Sequence, residues 1–206
     1  MNIYVESNFV LEHALEQEQS ESCQRLIDLA SVGSVRLIIP AFSLAEPYIA
    51  LMHKASERAK VSRDLERQLS ELRRSKPYRQ SFLSFNEILG VLRRRALSEG
   101  ASLQRALDTL LQTAEVIPLH ADMFRRAEEI PVAVRMSMQD SIVLASVVWR
   151  LADTRPAESC FLNRNTGDFD GPTIRDILNE LGCKLFTRFD HAVQYIEAHL
   201  REGETD

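Results

Sequence analysis

Oxygen-bearing side chains recur in this sequence directly after short apolar runs. VESN (5 to 8) places Glu6, Ser7 and Asn8 after IYV. The stretch PAFSLAEPY carries Glu46, MQDSIVLAS opens around Asp140, and LNRNTGDFDG brings Asn163, Asn165, Asp168 and Asp170 after SCFL. Carboxylates brought together repel one another, and keeping them ionised in a cluster is costly unless a cation sits among them. Oxygen-only donors suit Mg²⁺ or Mn²⁺, whose octahedra are completed by waters and substrate phosphates. Such ions promote the hydrolysis of phosphodiesters, so the chemistry implied is cleavage of a nucleic-acid backbone.

Each member of the set also has a local reading. Glu46 lies three residues after Ser43 and Asp140 three after Ser137, so both fit the S-x-x-E/D capping pattern of helix starts. Glu6 fits a solvated strand end, and Asp168 and Asp170 fit a turn before Pro172. What favours a site is joint placement. In parallel α/β sheets functional groups collect just beyond the carboxyl ends of the strands.

The elements that must position these residues are legible as short apolar runs alternating with helical periodicity. IYV (3 to 5), VRLII (35 to 39), EVIPL (115 to 119), SCFL (159 to 162) and 184 to 186 predict strands. Helical spacing runs from Phe9 to Ala30, stopped by Gly33, and an amphipathic pattern follows Pro40 through Leu51, Leu65, Leu69 and Leu72. Pro77 interrupts it. A second helical stretch is expected through Phe82, Phe85, Ile88, Leu89 and Leu92, and a third after Gly100 with Leu103, Leu107, Leu110 and Leu111. Residues 121 to 130 predict a helix ended by Pro131. Residues 138 to 152 are apolar on nearly every side, the mark of a helix buried on both flanks. Pro172 opens a further helix that Gly182 closes, and residues 190 to 200 form the last. Strands alternating with helices predict an α/β fold, a three-layer α/β/α sandwich on a mainly parallel sheet. The expected organisation is one domain over residues 1 to 201, with 52 to 112 as an inserted or extended basic helical arm and 202 to 206 as a flexible tail.

The chain has 206 residues, long enough to bury a real core, with 45% hydrophobic and 27% charged residues, which excludes a disordered chain. Without a basic start leading into a long apolar run, and without a segment of membrane-spanning length, the expectation is a cytoplasmic protein with no membrane partner. Cys23, Cys160 and Cys183 stand far apart in no metal-like spacing and read as reduced, buried thiols. The net charge of −5 conceals an asymmetry. Between Lys54 and Arg105 there are 13 Lys+Arg against 6 Asp+Glu, and the remainder is strongly acidic. Arg73, Arg74, Arg79, Arg93, Arg94 and Arg95 are the candidates for holding phosphates, since the guanidinium fork grips them at two points. Solvated helix faces would show the same runs.

Taken with their order and context, the four acidic motifs resemble those of the PIN-domain nuclease family, the VapC-like toxin ribonucleases and their relatives. That resemblance covers nearly the whole chain apart from the basic helices. It implies a metal-dependent endoribonuclease with one or two Mg²⁺ or Mn²⁺ ions, RNA as substrate, and a place in a toxin-antitoxin pair with an antitoxin-like protein as partner and a homodimer as assembly. Carried over by residue, Glu6, Glu46, Asp140 and Asp168 would be catalytic and metal-ligating, with Asn165 an amide ligand where many members have an acid. Ser7, Asn8 and Asn163 would be supporting polar groups. The first acid is Glu where the family usually has Asp, one methylene longer. The alternative is a degenerate fold that binds RNA or a protein without cutting, or helices 54 to 112 serving as a dimerisation surface.

Overall fold

The computed structural model describes residues 1–78, 83–130, 136–169 and 171–203. Its centre is a five-stranded sheet in the order β3-β2-β1-β4-β5, built from β1 (Asn2–Val5), β2 (Arg36–Pro40), β3 (Glu115–Ile117), β4 (Ser159–Leu162) and β5 (Cys183–Phe186). Every adjacent pair is parallel, and β1 lies in the middle with Tyr4 opposite Ile38 on one side and Val5 opposite Leu162 on the other. The five strands sit where the apolar runs predict them. Central strands buried on both faces need apolar residues in succession rather than in alternation, which is what IYV and SCFL supply.

The period of two along each strand divides the core into two layers. Ile3, Val5, Leu37, Ile39, Cys160 and Leu162 face α1 (Ser7–Ala14), α2 (Ser20–Ser31), α9 (Phe189–Gly203) and the inner parts of α3 (Ala41–Arg73) and α4 (Leu83–Thr113). Tyr4, Ile38, Phe161 and Leu185 face the other way. They meet α5 (Ala121–Glu129), α6 (Met138–Thr154), α7 (Thr166–Phe169) and α8 (Pro172–Glu180). This is the expected three-layer α/β/α sandwich. All three cysteines are free and buried in it.

Two local expectations are corrected. The helical spacing from Phe9 to Ala30 is divided into α1 and α2, because Glu16 takes a left-handed conformation (φ 49°) and the buried Glu12 carboxylate accepts the Gln19 backbone N–H at 2.9 Å across the break. The loop NRNTGDF contains the single turn α7. Gly100 does not separate two helices: α4 runs through it. A glycine costs about 1 kcal/mol in a helix interior, and here Leu103, Ala106, Leu107 and Leu110 anchor the helix beyond it in the main core.

The basic segment is a pair of long helices, α3 and α4, that pack together and are joined through a 3₁₀ turn at Lys76–Tyr78. Away from the sheet, among the described residues, Leu69 and Leu89 are buried with Leu65 packed against them. A polar clasp supplements that small core. Glu99, 5% exposed, receives Arg95 at 2.9 Å and Arg58 at 2.5 Å. Burial alone would raise its pKa, but the hydrogen bonds from Arg58 and Arg95 outweigh burial and hold the carboxyl below its ordinary value.

A Cβ added at Gly100 would meet nothing within 4 Å. Gly100→Ala is therefore expected to stabilise the protein by roughly 0.5–1 kcal/mol by restricting the unfolded chain, read as a rise in the thermal midpoint with no change in the far-ultraviolet circular dichroism.

Candidate metal-binding acidic site

The carboxyl end of β1 runs directly into the N-terminus of α1, and Glu6 is the residue between them. Its backbone is extended (φ −135°, ψ −170°), and its side chain caps α1. One carboxylate oxygen, Oε2, accepts the Asn8 backbone N–H at 3.0 Å and the Ser7 hydroxyl at 2.7 Å. The carboxylate folds back onto its own helix and satisfies one of its free N-terminal amides. The other oxygen, Oε1, is buried with no hydrogen-bond partner among the described residues.

Glu46 lies in the second turn of α3. That helix begins at Ala41 with Pro40 as its cap and no side-chain cap bond, so the capping role allowed by Ser43 is not what Glu46 performs. Ser43 is fully buried, and its Oγ has no partner. Asp140, by contrast, does take part in a helix start. Ser137 caps α6, its Oγ accepting the Asp140 backbone N–H at 3.1 Å and donating to Asp140 Oδ2 at 2.5 Å. Both Glu6 and Asp140 therefore stand in the favourable field of a helix N-terminus.

The three carboxylates are electrostatically linked. Burial pushes the Glu6 carboxyl from its ordinary 4.5 up to about 7, against the hydrogen bonds from Ser7 and Asn8, and the neighbouring Glu46 raises it further. Glu46 is itself raised, first by burial and then by Asp140, with the Ser7 hydroxyl opposing. The Ser7 hydroxyl thus lowers the proton affinity of both glutamates. Three separate elements, the β1 to α1 junction, α3 and α6, deliver acids to one neighbourhood.

The loop after β4 completes the edge. Asn163, 1% exposed, donates its backbone N–H to the Phe186 carbonyl at 3.0 Å, and its Oδ1 accepts the Asn165 N–H at 2.7 Å. Asn165 is half-buried. Asp168 lies in α7, its side chain outside the described residues, as is Asp170. Of the basic candidates, Arg95 is engaged by Glu99, while Arg74 ends α3 exposed and Arg94 lies exposed beside Gly90. The side chains of Arg73 and Arg93, and the whole of Arg79, fall outside the described residues.

Two charged residues in this neighbourhood carry no motif signal. Glu12, 3% exposed on α1, is ion-paired with Arg164, which also reaches Glu18 at 3.5 Å. Arg164 stands between the two asparagines of LNRN, and that position is the one hint the sequence offers. Glu12 is a lone acid in a short apolar helix and gives none.

A hard divalent cation fits this donor set chemically, because every donor is oxygen and the buried Glu6 Oε1 lacks a partner among the described residues. Among the described residues, however, no three His, Cys, Asp or Glu side chains stand in the arrangement of a ready-made ligand cage. The carboxylates are grouped, not closed.

No protein-family model matches this chain, and no curated protein matches it. Among solved structures, a chain of VapBC2 from Rickettsia felis, bound to a DNA fragment from their promoter, is similar to this one. The likeness has 14% sequence identity and a TM-score of 0.45, and covers 90% of this chain and 98% of that chain. A likeness of that degree carries no argument about activity. What the fold and the site define is a three-layer α/β/α protein with an acidic edge at the carboxyl ends of its central strands. Among the described residues, no helix is long and apolar enough to cross a membrane.

The Glu6 carboxyl, raised to about 7, gives the fold a pH dependence whose sign is set by proton linkage. The folded state holds a proton that the unfolded state releases at its ordinary 4.5, so stability is full below that value and is lost as pH rises through about 7. Above the window the loss is on the order of 3 kcal/mol. Glu6→Gln is expected to raise the thermal midpoint at pH 8 and to leave it nearly unchanged at pH 4.5; denaturation curves at the two pH values check this.

Proposed function

We propose that this protein is a divalent-metal-dependent endoribonuclease of PIN type. The observation that carries the reading is the electrostatic linkage of Glu6 to Glu46 and of Glu46 to Asp140, acids delivered by three elements, with one buried Glu6 oxygen unpartnered among the described residues. Like charges placed together, at a cost to stability, mark a functional site rather than a packing solution. Glu6 Oε1, Glu46 and Asp140 would hold Mg²⁺ or Mn²⁺, with Asn165 and Asp168 as further oxygen donors. When bound, the ion supplies charge neutralisation and Lewis acidity for phosphodiester hydrolysis.

The chain's own residues prepare that chemistry. Ser7 and the Asn8 N–H hold Glu6 Oε2, and Oε1 is left without a hydrogen bond among the described residues. Ser137 fixes the rotamer of Asp140 in the same way. The raised affinity of Glu6 for a proton means that cation binding near neutral pH displaces one, so metal affinity should strengthen with pH. The exposed guanidiniums of Arg74 and Arg94 on the α3–α4 pair would hold the phosphates of the RNA. An antitoxin-like protein partner and a homodimer belong to the same reading, in which cleavage of cellular RNA by a toxin must be held in check.

The test is cleavage of single-stranded RNA with Mn²⁺ or Mg²⁺. Asp140→Asn is expected to lower the rate by about 10²-fold or more, and undiminished cleavage by this variant would remove the site assignment. Arg74→Glu combined with Arg94→Glu is expected to weaken RNA binding and to flatten the dependence of log affinity on log salt by about 2. An unchanged slope, measured by fluorescence anisotropy, would return these arginines to the role of solvated helix faces.

A second reading is favoured by the open grouping of the carboxylates among the described residues: an RNA-binding or protein-interaction module that retains the acidic edge without the reaction. Calorimetric titration with Mn²⁺ separates the two. Heat that disappears in Glu6→Gln supports the enzyme, and no heat from the wild type supports the module.

A further inference from the structure

We propose that Arg164, through its ion pair with Glu12, is the positioning residue that sets Asn165 and α7 against Glu6; the catalytic part of this inference rests on the nuclease reading above. The acidic edge has two halves of different origin. One half is the junction at Glu6, carried by β1 and α1, and the other is the loop from Asn163 into α7, carried by β4.

The ladder between the two strands ends at the register pair Val5 and Leu162. Past that pair the strand ladder no longer links the two halves. The loop is fastened at its start by the Asn163 N–H on the Phe186 carbonyl and at its end by Phe169, fully buried, whose N–H returns to the Asn165 carbonyl at 3.1 Å. The first anchor ties the loop to β5, and the Phe169 side chain sits in the core layer on the face of the sheet opposite α1. The ion pair of Arg164 with Glu12 ties the loop to α1, the helix that Glu6 caps.

The partner is rigid. Glu12 is 3% exposed, six residues along α1 from Glu6, and its Oε2 is already occupied by the Gln19 N–H. A carboxylate buried there is stable only with its cation in place, so the guanidinium is held as firmly as the helix. The pairing also excludes a different role. With Glu12 on one side and Glu18 at 3.5 Å on the other, the charge of Arg164 is already balanced by carboxylates, unlike that of a phosphate-gripping arginine. A planar fork serving two acids in different directions is something the ammonium of lysine reproduces only in part.

The experiment pairs kinetics of Mn²⁺-dependent RNA cleavage with amide hydrogen exchange on Arg164→Gln, Glu12→Gln and Arg164→Lys in the full chain. Expected for both glutamine variants is a fall in kcat of about 10-fold or more with KM held within about two-fold, partly restored in Arg164→Lys. Faster exchange is expected at Asn165 and Phe169 while the β1 and β4 amides keep their protection. A rise in KM at constant kcat would overturn the proposal in favour of a substrate contact. Exchange accelerated equally through the strands would overturn it in favour of a general stability role, as would exchange unchanged in the loop. A wild-type chain that cleaves no RNA overturns the nuclease reading alone; the loop amides of the glutamine variants then decide whether the pair positions Asn165 and α7.

Discussion

The parallel pairing of β1 between β2 and β4 is the constraint on which the rest of the molecule depends. Parallel strands must all be re-entered from the same end, so every connection carries the chain across a face of the sheet and every strand delivers its last residue to one edge. Glu6 and Asn163 are brought side by side in this way, one residue past the register pair Val5 and Leu162. The helices fill the two faces because the connections must lie there, and their apolar stripes divide between the layers by the alternation within each strand. The core and the site are thus products of the same pairing.

At the edge itself the protein accepts an electrostatic cost. Glu6 is almost wholly buried, satisfied at one oxygen by its own helix and at the other by nothing among the described residues. Glu6 joins a helix cap to an acidic neighbourhood in a single side chain: one oxygen serves the helix, and the carboxyl as a whole feels the charge of Glu46. Asp140 makes a related compromise at the start of α6. A capping role and a chemical role are therefore not alternatives here, since both rest on the electropositive field of a helix N-terminus.

The long α3–α4 pair shows how a basic surface can be attached to an acidic body. Its inner turns belong to the sheet-covering layer, with Leu51, Leu103 and Leu107 in the main core. Its outer part relies on a few leucines and on the buried Glu99 held between Arg58 and Arg95. Two arginines of the basic stretch are thereby used to neutralise an internal carboxylate. The surplus of positive charge resides in the others.

The apolar runs IYV and SCFL, the capping serine before Asp140, Pro172 at a helix start and Gly182 past its end (φ 67°) are local signals, and local physics placed all of them correctly. Spacing misled at Phe9 to Ala30 and at Gly100. In the first case a buried side chain interrupts a helix that periodicity would continue, and in the second distant packing carries a helix through a residue that disfavours it. The sequence alone determined which residues carry acids and amides, and that strands would present them in order along the chain. Only the tertiary structure decided that Glu6 folds back upon its own helix, that Glu46 is no cap, and that Arg164 meets Glu12. These are contacts between segments far apart in the chain or choices among rotamers, and their energies depend on burial and on neighbours that no local pattern of residues records.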